Sequence, residues 1–387
     1  MSETFNQLAA KTADSIPRLS KVDRLRSLDP AILLLEKAYG QGTVMRMDSN
    51  RIEFPHISTD ILSFDIASGI GGVPKGRIIE IYGNESSGKT SLVLDIIAQA
   101  QKNDGICAFV DAEHALDPVW ARKLGVNVDE LLVSQPDGAE QALEIVDAFI
   151  KSGGLDVVVL DSVAALVPRA EAEGDMGDAH MAILARLMGQ AMRKLTASVQ
   201  KSNTVLILIN QTRSNIGGYG SPVTTSGGKA IKFFASQRIE VAKIETLKKG
   251  DESIGNRIRA KFVKNKVSPP FKVAEFDLMF DGYFNKEGSI IEEAEKIKIV
   301  KKSGSWYSYN DNKLGQGLDK SCQLLMQNPA LAEELKTKVL DHYKQESIFK
   351  LNSSEEGRQR RREAAFEASN TPDEDQDISQ IESPEEE

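Results

Sequence analysis

The stretch Arg77 to Gln101, RIIEIYGNESSGKTSLVLDIIAQAQ, decides the fold of this 387-residue chain. It opens with an apolar run rich in β-branched residues, IIEIY, which predicts a buried strand, and it closes with apolar residues at helical spacing from Thr90 onward. Between them, GNESSGKT has the pattern Gly, four residues, Gly, Lys, Thr. A glycine-rich turn between a strand and a helix points backbone N–H groups and the helix amino end at phosphate oxygens. The stretch therefore predicts a nucleotide-binding loop, and its context favours that interpretation over a purely structural turn.

The residues that follow alternate apolar runs with helical patterns as far as Ile209. Strands are predicted in CAFVD, DVVVLD and TVLILIN, with helices over about 141–150 and 179–201 between them. This alternation is typical of an α/β fold whose mostly parallel central sheet is buried on both faces. The later runs RIEVAKIE and RIRAKFVKNKV predict antiparallel strands that extend the sheet.

Shorter patterns flank this core. Before it, a short amphipathic helix is predicted after Pro30, ending near Gly40, with a strand over residues 43–47. After it, GSWYSY and PALAEELKTKVLDHY predict a small α+β domain at the carboxyl end. The predicted organisation is an N-terminal helix and strand over 1–52, an ATPase core over 53–286, a C-terminal domain over 287–350, and an acidic tail over 351–387 that we expect to be disordered.

Composition excludes several classes of protein. The two cysteines, Cys107 and Cys322, match no disulfide framework or zinc spacing. No apolar run reaches the ~18 residues of a membrane span, and the first residues lack a secretion signal, so we expect a cytoplasmic protein that does not contact a membrane. The net charge is −9, but residues 371–387 contain eight acids and no base. The rest of the chain is close to neutral, so a local basic surface can bind a polyanion.

Polar residues at strand ends supply the predicted chemistry. Lys89 would reach the β- and γ-phosphates of ATP, and the Thr90 hydroxyl would bind Mg²⁺. Asp161 ends a buried strand at the carboxyl edge of the sheet, where it would hold the metal, although capping a helix is the alternative. Glu113, just beyond another strand, is a candidate for activating water. Spacing alone leaves Asp111 as a rival.

His114 is a second rival for that role. Gln211 ends the last parallel strand before a long glycine-rich stretch, and it could sense the γ-phosphate or simply satisfy backbone groups. On the long helix, Arg186 and Arg193 share one face. Together with Arg213, Lys229 and Lys232 they predict a surface that follows a phosphate backbone, although each residue taken singly is better explained as a solvated charge.

These residues, in this order, closely resemble the bacterial RecA recombinases. The resemblance covers roughly Leu33 to Tyr309 and is highly specific. The matching strings are GNESSGKTS, FVDAEHALDPVWARKLGV, LDSVAALVPRAEAEGDMGDAHMAILARLM, ILINQTR, TTSGGKAIKFFAS, KFVKNKV and GSWYSY.

The resemblance implies a DNA-dependent ATPase of homologous recombination with a RecA-type core. It implies that Glu113 activates water, that Asp161 and Thr90 hold Mg²⁺, and that Gln211 senses the γ-phosphate. It also implies that Lys264 and Lys266 reach ATP held by a neighbouring subunit, beside Phe233. The residues implied to bind ATP are Gly83, Asn84, Glu85, Ser86, Ser87, Gly88, Lys89, Thr90, Ser91, Asp117 and Trp120.

The resemblance further implies partners. These are single-stranded and double-stranded DNA, further copies of the chain in a helical filament docked through the N-terminal segment, and a LexA-type repressor whose self-cleavage is triggered in the SOS response. Two DNA-binding loops are implied, Glu173 to Met181 and Thr212 to Gly228. The residues implied to contact DNA are Met181, Arg186, Arg193, Arg213, Ile216, Gly227 and Gly228.

Three positions depart from the family's pattern, and two other functions stay open. Asn215 stands where a basic residue is common, in a second DNA loop that is one residue shorter than usual. Trp120 stands where tyrosine is usual and can still stack on adenine, and Glu287 stands where an aromatic partner for the nucleotide base is common. A hexameric DNA helicase would share the ATPase core, but the Lys264 and Lys266 pair and the N-terminal segment favour a filament. A filament-forming scaffold without turnover is the second alternative, and the intact set of catalytic residues argues against it.

Overall fold

The computed structural model describes residues 20–40, 43–44, 54–174, 183–214 and 223–346. The chain divides into two units, Met1–Glu53 and Phe54–Glu387. In the first unit, helices α1 (Lys21–Arg26) and α2 (Asp29–Tyr39) are formed, and α2 is the predicted amphipathic helix.

The strand predicted over 43–47 is wrong where it can be tested. Thr43 and Val44 form a bend, and the Thr43 hydroxyl donates a 2.6 Å hydrogen bond to the Gly40 carbonyl. A local turn therefore takes the place of a strand ladder here. Residues 45–47 lie outside the described part of the chain.

The second unit begins with the core that holds the predicted loop. Its elements, in chain order, are β1 (His56–Ile57), α3 (Leu62–Ser68), β2 (Val73–Pro74), β3 (Ile78–Gly83), α4 (Lys89–Lys102), β4 (Cys107–Asp111), α5 (Pro118–Lys123), β5 (Leu132–Ser134), α6 (Ala139–Ser152), β6 (Val157–Asp161), a 3₁₀ turn (Val163–Ala165), α7 (Arg169–Ala172), α8 (Ile183–Ser202), β7 (Val205–Ser214), β8 (Val223–Thr225), α9 (Lys229–Phe234), β9 (Gln237–Lys249), β10 (Glu252–Asn265), β11 (Val273–Met279) and β12 (Tyr283–Phe284).

Ten of these strands form one sheet. Its order is β12-β11-β10-β9-β3-β7-β6-β4-β5, with β8 paired to β7. The strands from β9 to β5 are parallel, whereas β10, β11 and β12 continue the sheet antiparallel. The predicted α/β fold with a mostly parallel central sheet is confirmed. The carboxyl ends of the parallel strands meet at one edge, which is where α/β proteins bind ligands.

Both faces of the sheet are covered, which explains why its strands are continuous apolar runs in the sequence. Along β3, Ile79 and Ile81 pack into one apolar cluster with α4, while Ile78 packs into a second cluster with α6 and α8. The predicted polar face of α8 is also confirmed, because Arg186 and Arg193 are exposed.

The predicted small C-terminal domain is also formed. Its elements are α10 (Lys286–Lys296), β13 (Lys301–Ser303), β14 (Trp306–Tyr309), β15 (Asn312–Gln316), α11 (Leu318–Gln327) and α12 (residues 329–346). The three strands form an antiparallel sheet. A separate apolar cluster, which includes Ile291, Tyr307 and Leu325, holds this domain together. None of the helices in the described ranges is long and apolar enough to cross a membrane.

Candidate active site

The loop between β3 and α4 has the backbone shape that close packing requires. Ser86 and Gly88 adopt positive φ angles of 53° and 89°. A Cβ atom built on Gly88 would lie 2.4 Å from the Cδ1 atom of Ile258. The backbone conformation therefore favours glycine here, and a Cβ atom would also displace the end of the Ile258 side chain on β10.

Lys89 and Ser87 place polar groups inside this loop. The Lys89 ammonium donates a 2.7 Å hydrogen bond to the backbone oxygen of Asn84. Burial lowers the pKa of Lys89, and the negative charges of Asp161 and Glu113 oppose that effect. The hydroxyl of Ser87 is buried and has no hydrogen-bond partner among the described residues. A buried ammonium and an unpaired hydroxyl in a glycine-bearing turn fit a phosphate group.

Thr90 and Asp161 meet at the start of α4. The Thr90 hydroxyl donates a 2.9 Å hydrogen bond to Oδ2 of Asp161. Burial raises the pKa of Asp161 to about 7, although the Thr90 hydrogen bond lowers it. No group of three or more His, Cys, Asp or Glu side chains that could hold a metal occurs in the described ranges. One carboxylate beside one hydroxyl fits Mg²⁺, which is bound by few protein groups together with substrate phosphates and water.

Glu113 lies beside this pair because the backbone fixes it there. The N–H groups of Ala112 and Glu113 donate to the carbonyl of Asp161 at 2.7 and 3.2 Å. One carboxylate oxygen of Glu113 accepts hydrogen bonds from the Ser162 hydroxyl and, at 2.8 Å, from the side-chain amide of Gln211. Gln211 is the last residue of β7 that pairs with β3, although β7 itself continues to Ser214. Residues that follow β4 and β6, and one on β7, therefore converge on one exposed carboxylate.

The geometry separates Glu113 from its rivals. Asp111 is buried, and its two carboxylate oxygens accept from the backbone N–H groups of Ala115 and Leu116 at 3.3 and 3.2 Å. That carboxylate therefore holds the following loop. His114 is exposed, at a φ of 55°, and Glu113 alone of the three bonds to Gln211 in the described structure.

Two contacts in this site were missed by the sequence reasoning. Ser162 follows Asp161 directly, so its position next to a strand-end acid was a usable signal. Thr212 donates from β7 to the side chain of Asn84 in the loop. That contact joins residues 128 positions apart, and no local pattern indicates it.

The predicted base-binding residues lie on and next to α5. The indole N–H of Trp120 donates a 3.1 Å hydrogen bond to the hydroxyl of Ser91 on α4. Asp117 caps α5, because its carboxylate accepts from the N–H of Val119 at 2.8 Å. Glu85 is exposed on the loop. The structure thus brings Trp120 to the phosphate-loop helix and gives Asp117 a capping role.

The predicted DNA-binding residues are only partly within the described ranges. Arg186, Arg193 and Arg213 are exposed. Gly228 has a φ of 76°, and a Cβ there would lie 2.7 Å from the Cβ of Ala185. The second predicted DNA loop therefore ends packed against α8. Outside the described residues lie Met181, Asn215 and Ile216.

The predicted interface residues lie together. The Lys264 ammonium donates to the carbonyls of Lys232 and Phe233 at 2.7 and 2.9 Å, and the Lys266 ammonium lies 3.4 Å from the Phe233 carbonyl. Burial, and then the charge of Lys266, lower the pKa of Lys264 to about 8. The Phe233 side chain is 70% exposed. The structure therefore brings the three predicted interface residues into one exposed patch.

Comparisons with known proteins point to one family. A family model for the RecA N-terminal domain matches residues 26–285, and one for the RecA C-terminal domain matches residues 288–344. The chain is 55% identical over 318 residues to Protein RecA of Bifidobacterium breve, covering 82% of this chain and 81% of that protein. It is 53% identical over 340 residues to Protein RecA of Rickettsia canadensis, covering 87% and 99%.

A third relative, Protein RecA of Halalkalibacterium halodurans, is 53% identical over 323 residues, which cover 83% of this chain and 93% of that protein. Among solved structures, the RadB recombinase matches with a TM-score of 0.46 and 20% identity, over 59% of this chain and 98% of that chain. The two family models together span most of the chain, and the identities exceed half of the aligned residues. The chain therefore belongs to the RecA family.

Proposed function

We propose that this chain is an ATP- and Mg²⁺-dependent recombinase. It forms helical filaments on single-stranded DNA, pairs that DNA with a homologous duplex and catalyses strand exchange in DNA repair. Family membership supports nucleotide use. The observation that carries the proposal is the convergence of Ser162 and Gln211 on the carboxylate of Glu113, beside the Thr90 and Asp161 pair.

Each residue of this site has a distinct role in ATP hydrolysis. Lys89 binds the terminal phosphates, and Thr90 with Asp161 holds Mg²⁺, which neutralises charge on the phosphoryl oxygens when bound. Glu113 orients the attacking water and accepts its proton. The hydrogen bonds from Ser162 and Gln211 fix the orientation of that carboxylate. Gln211 also directly precedes the second DNA loop. Its response to the γ-phosphate therefore changes the conformation of that loop and so couples ATP binding to DNA binding.

Subunit contacts complete the site. Lys264 and Lys266 reach the ATP of a neighbouring copy, where their positive charge stabilises the transferred phosphoryl group only when two copies are docked. The exposed ring of Phe233 beside them supports this role. The proposal also places domain boundaries after residues 52, 286 and 350. The first segment, residues 1–52, docks on the next copy of the chain.

DNA lies along the filament on the exposed arginines of α8 and on the two loops. Binding of this kind depends on salt, because it releases counterions from the phosphate backbone. A filament that holds one strand with its bases accessible lets base pairing read the sequence. Stimulated self-cleavage of a LexA-type repressor is a further activity of that filament.

The experiment is phosphate release from ATP with and without single-stranded DNA, for the full chain and for Glu113→Gln. We expect DNA to stimulate the full chain, and the variant to lose about 10²- to 10⁴-fold in rate, the range for a general base, while still binding ATP. Glu130→Gln, an exposed acid outside the site, is the matched control. No phosphate release from the full chain with DNA would overturn the proposal in favour of a scaffold.

Electron microscopy with ATP and single-stranded DNA makes a second test. Helical filaments are expected. Closed rings would support a hexameric helicase instead. A strand-exchange assay between circular single strands and linear duplexes then separates pairing from simple filament formation, because a helicase would yield separated strands rather than exchanged ones.

A further inference from the structure

A buried polar network crosses the middle of the sheet behind the loop. Glu80, on β3, is fully buried. One of its carboxylate oxygens accepts a 3.0 Å hydrogen bond from the side-chain amide of Asn210 on β7, and the other accepts from the guanidinium of Arg238 on β9. These are the two strands that flank β3, so one carboxylate joins three adjacent strands through side chains.

Asn210 is the branch point of this network. The same amide nitrogen that bonds to Glu80 also donates, at 3.0 Å, to the backbone carbonyl of Ser226. Its amide oxygen accepts from the N–H of Gln211 at 2.9 Å. Ser226 directly follows β8 and precedes Gly227, near the end of the second predicted DNA loop, Thr212 to Gly228. Asn210 therefore connects Gln211, the residue before this loop, to Ser226, near the end of the loop.

The other arm of the network leads to the phosphate loop. The guanidinium of Arg238 lies 4.6 Å from the ring centroid of Tyr82, in a cation–π arrangement. Tyr82 directly precedes Gly83, the first residue of the loop. A charge buried as deeply as that of Glu80 is stable only when it is paired and hydrogen-bonded. Displacing the Asn210 side chain would therefore break its hydrogen bond to Glu80. Displacing the Glu80 carboxylate would break its ion pair with Arg238.

We infer that Glu80, Asn210 and Arg238 are positioning residues that couple the nucleotide site to the second DNA loop, which deepens the proposed function and rests on it. The connection runs from Glu113 to Gln211 at 2.8 Å, from Gln211 to Asn210 at 2.9 Å, and from Asn210 to Ser226 at 3.0 Å. Glu80 holds Asn210 in the one orientation that serves both contacts.

The test compares Asn210→Ala and Glu80→Gln with the full chain. The first variant removes the amide that contacts Glu80, Ser226 and Gln211, and it leaves the ion pair between Glu80 and Arg238. The second keeps the volume and removes the charge. Phosphate release without DNA and the affinity for ATP should stay within about twofold, while stimulation by single-stranded DNA falls about tenfold, within the range of coupling between sites. The double variant should lose no more stimulation than the more impaired of the two singles, because coupled residues are not additive.

Reciprocity supplies a second readout. If DNA strengthens ATP binding, ATP must strengthen DNA binding by the same factor. We therefore measure the affinity for single-stranded DNA with a non-hydrolysable ATP analogue and with ADP. The ratio of these two affinities should shrink in both variants by the same factor as the increase in ATP affinity that DNA causes. A merely structural role would lower both affinities together and leave the ratio unchanged.

Thr204→Val is the matched control. Its buried hydroxyl donates at 2.7 Å to the Leu155 carbonyl, next to the start of β7 and away from the site. This variant should keep full DNA stimulation. The inference is overturned if both network variants keep their stimulation, or if both lose ATP binding, since the network would then serve folding alone. A full chain that DNA does not stimulate refutes the proposed function instead, so the two failures are distinguishable.

Discussion

The side-chain amide of Gln211 donates a 2.8 Å hydrogen bond to the carboxylate of Glu113, although the two residues are 98 positions apart. Gln211 is part of β7, and Glu113 follows β4, so β6 lies between their strands in the sheet. Gln211, which directly precedes the second predicted DNA loop, is thus in direct contact with the predicted catalytic carboxylate of Glu113. The consequences of this contact can be measured.

Replacing Gln211 with alanine should uncouple DNA binding from hydrolysis. The variant loses the hydrogen bond to Glu113 but leaves Lys89 and Thr90 unchanged. We expect DNA-stimulated phosphate release to fall by about 10- to 100-fold, a typical size for coupling between two sites, with ATP affinity nearly unchanged. Gln200→Ala, at an exposed position of α8, serves as the control in the same assay. Equal stimulation in both variants would refute a sensing role for Gln211.

Asp161 should make the stability of the chain depend on pH. Burial raises the pKa of this group from 3.8 to about 7. The folded chain therefore holds a proton that the unfolded chain releases, so the stabilising contribution is complete below pH 3.8 and is lost as the pH rises through about 7. Each unit of raised pKa corresponds to about 1.4 kcal/mol.

Thermal unfolding without Mg²⁺ at about pH 5 and about pH 8.5 measures this effect. The melting temperature of the full chain should fall more over that interval than that of Asp161→Asn, which does not titrate. Parallel changes in the two proteins would show that the buried carboxyl is not the group responsible. Asp129→Asn, an exposed acid, controls for the loss of one charge.

Lys264 should make DNA-stimulated turnover fall at high pH. Burial and the neighbouring charge of Lys266 lower the pKa of Lys264 to about 8. Its positive charge is therefore present below that value and is lost above it. Lys264→Arg retains the charge throughout, because a guanidinium does not deprotonate in this range.

The measurement is phosphate release across the alkaline range for the full chain, Lys264→Arg and Lys266→Arg. We expect the rate to decline with pH in the full chain and in Lys266→Arg, which keeps Lys264, and to stay level in Lys264→Arg. A decline in all three proteins would assign the titration to another group.

Gly88→Ala should weaken nucleotide binding, because both the backbone conformation and the Ile258 side chain oppose a Cβ atom at this position of the loop. Gly88 has a φ of 89°, and a Cβ there would approach Ile258 to 2.4 Å. Gly153 has a φ of 70°, and a Cβ there would meet no atom within 4 Å, so Gly153→Ala suffers the conformational cost alone, about 1 kcal/mol. Both proteins should fold, and calorimetric titration with ATP should show at least tenfold weaker binding only for Gly88→Ala. Equal affinities would argue against a tight fit at the loop.

Much of the arrangement follows from local sequence. The loop residues Lys89 and Thr90 are placed by spacing within one strand, turn and helix. The position of Asp161 near these two residues could also be predicted, because parallel strands end at one edge of a sheet. Asp111 and Glu113 could not be separated in this way, because both lie at the carboxyl end of the same strand and only burial and backbone N–H partners distinguish them.

Contacts between distant segments could not be predicted. Glu80 lies inside an apolar run, where a charged residue carries no sign of the partner that neutralises it. That partner, Arg238, is 158 positions away, and the pairing depends on β3 lying between β7 and β9. Strand order of this kind is a property of the whole sheet rather than of any one motif.

The strand β7 runs without interruption from Val205 to Ser214. Successive side chains on it alternate between the two faces of the sheet, so the neighbouring amides of Asn210 and Gln211 reach different surroundings. Inserting one residue ahead of them would exchange those two orientations. The length of this strand is consequently as strict a requirement as the identity of the amides it carries.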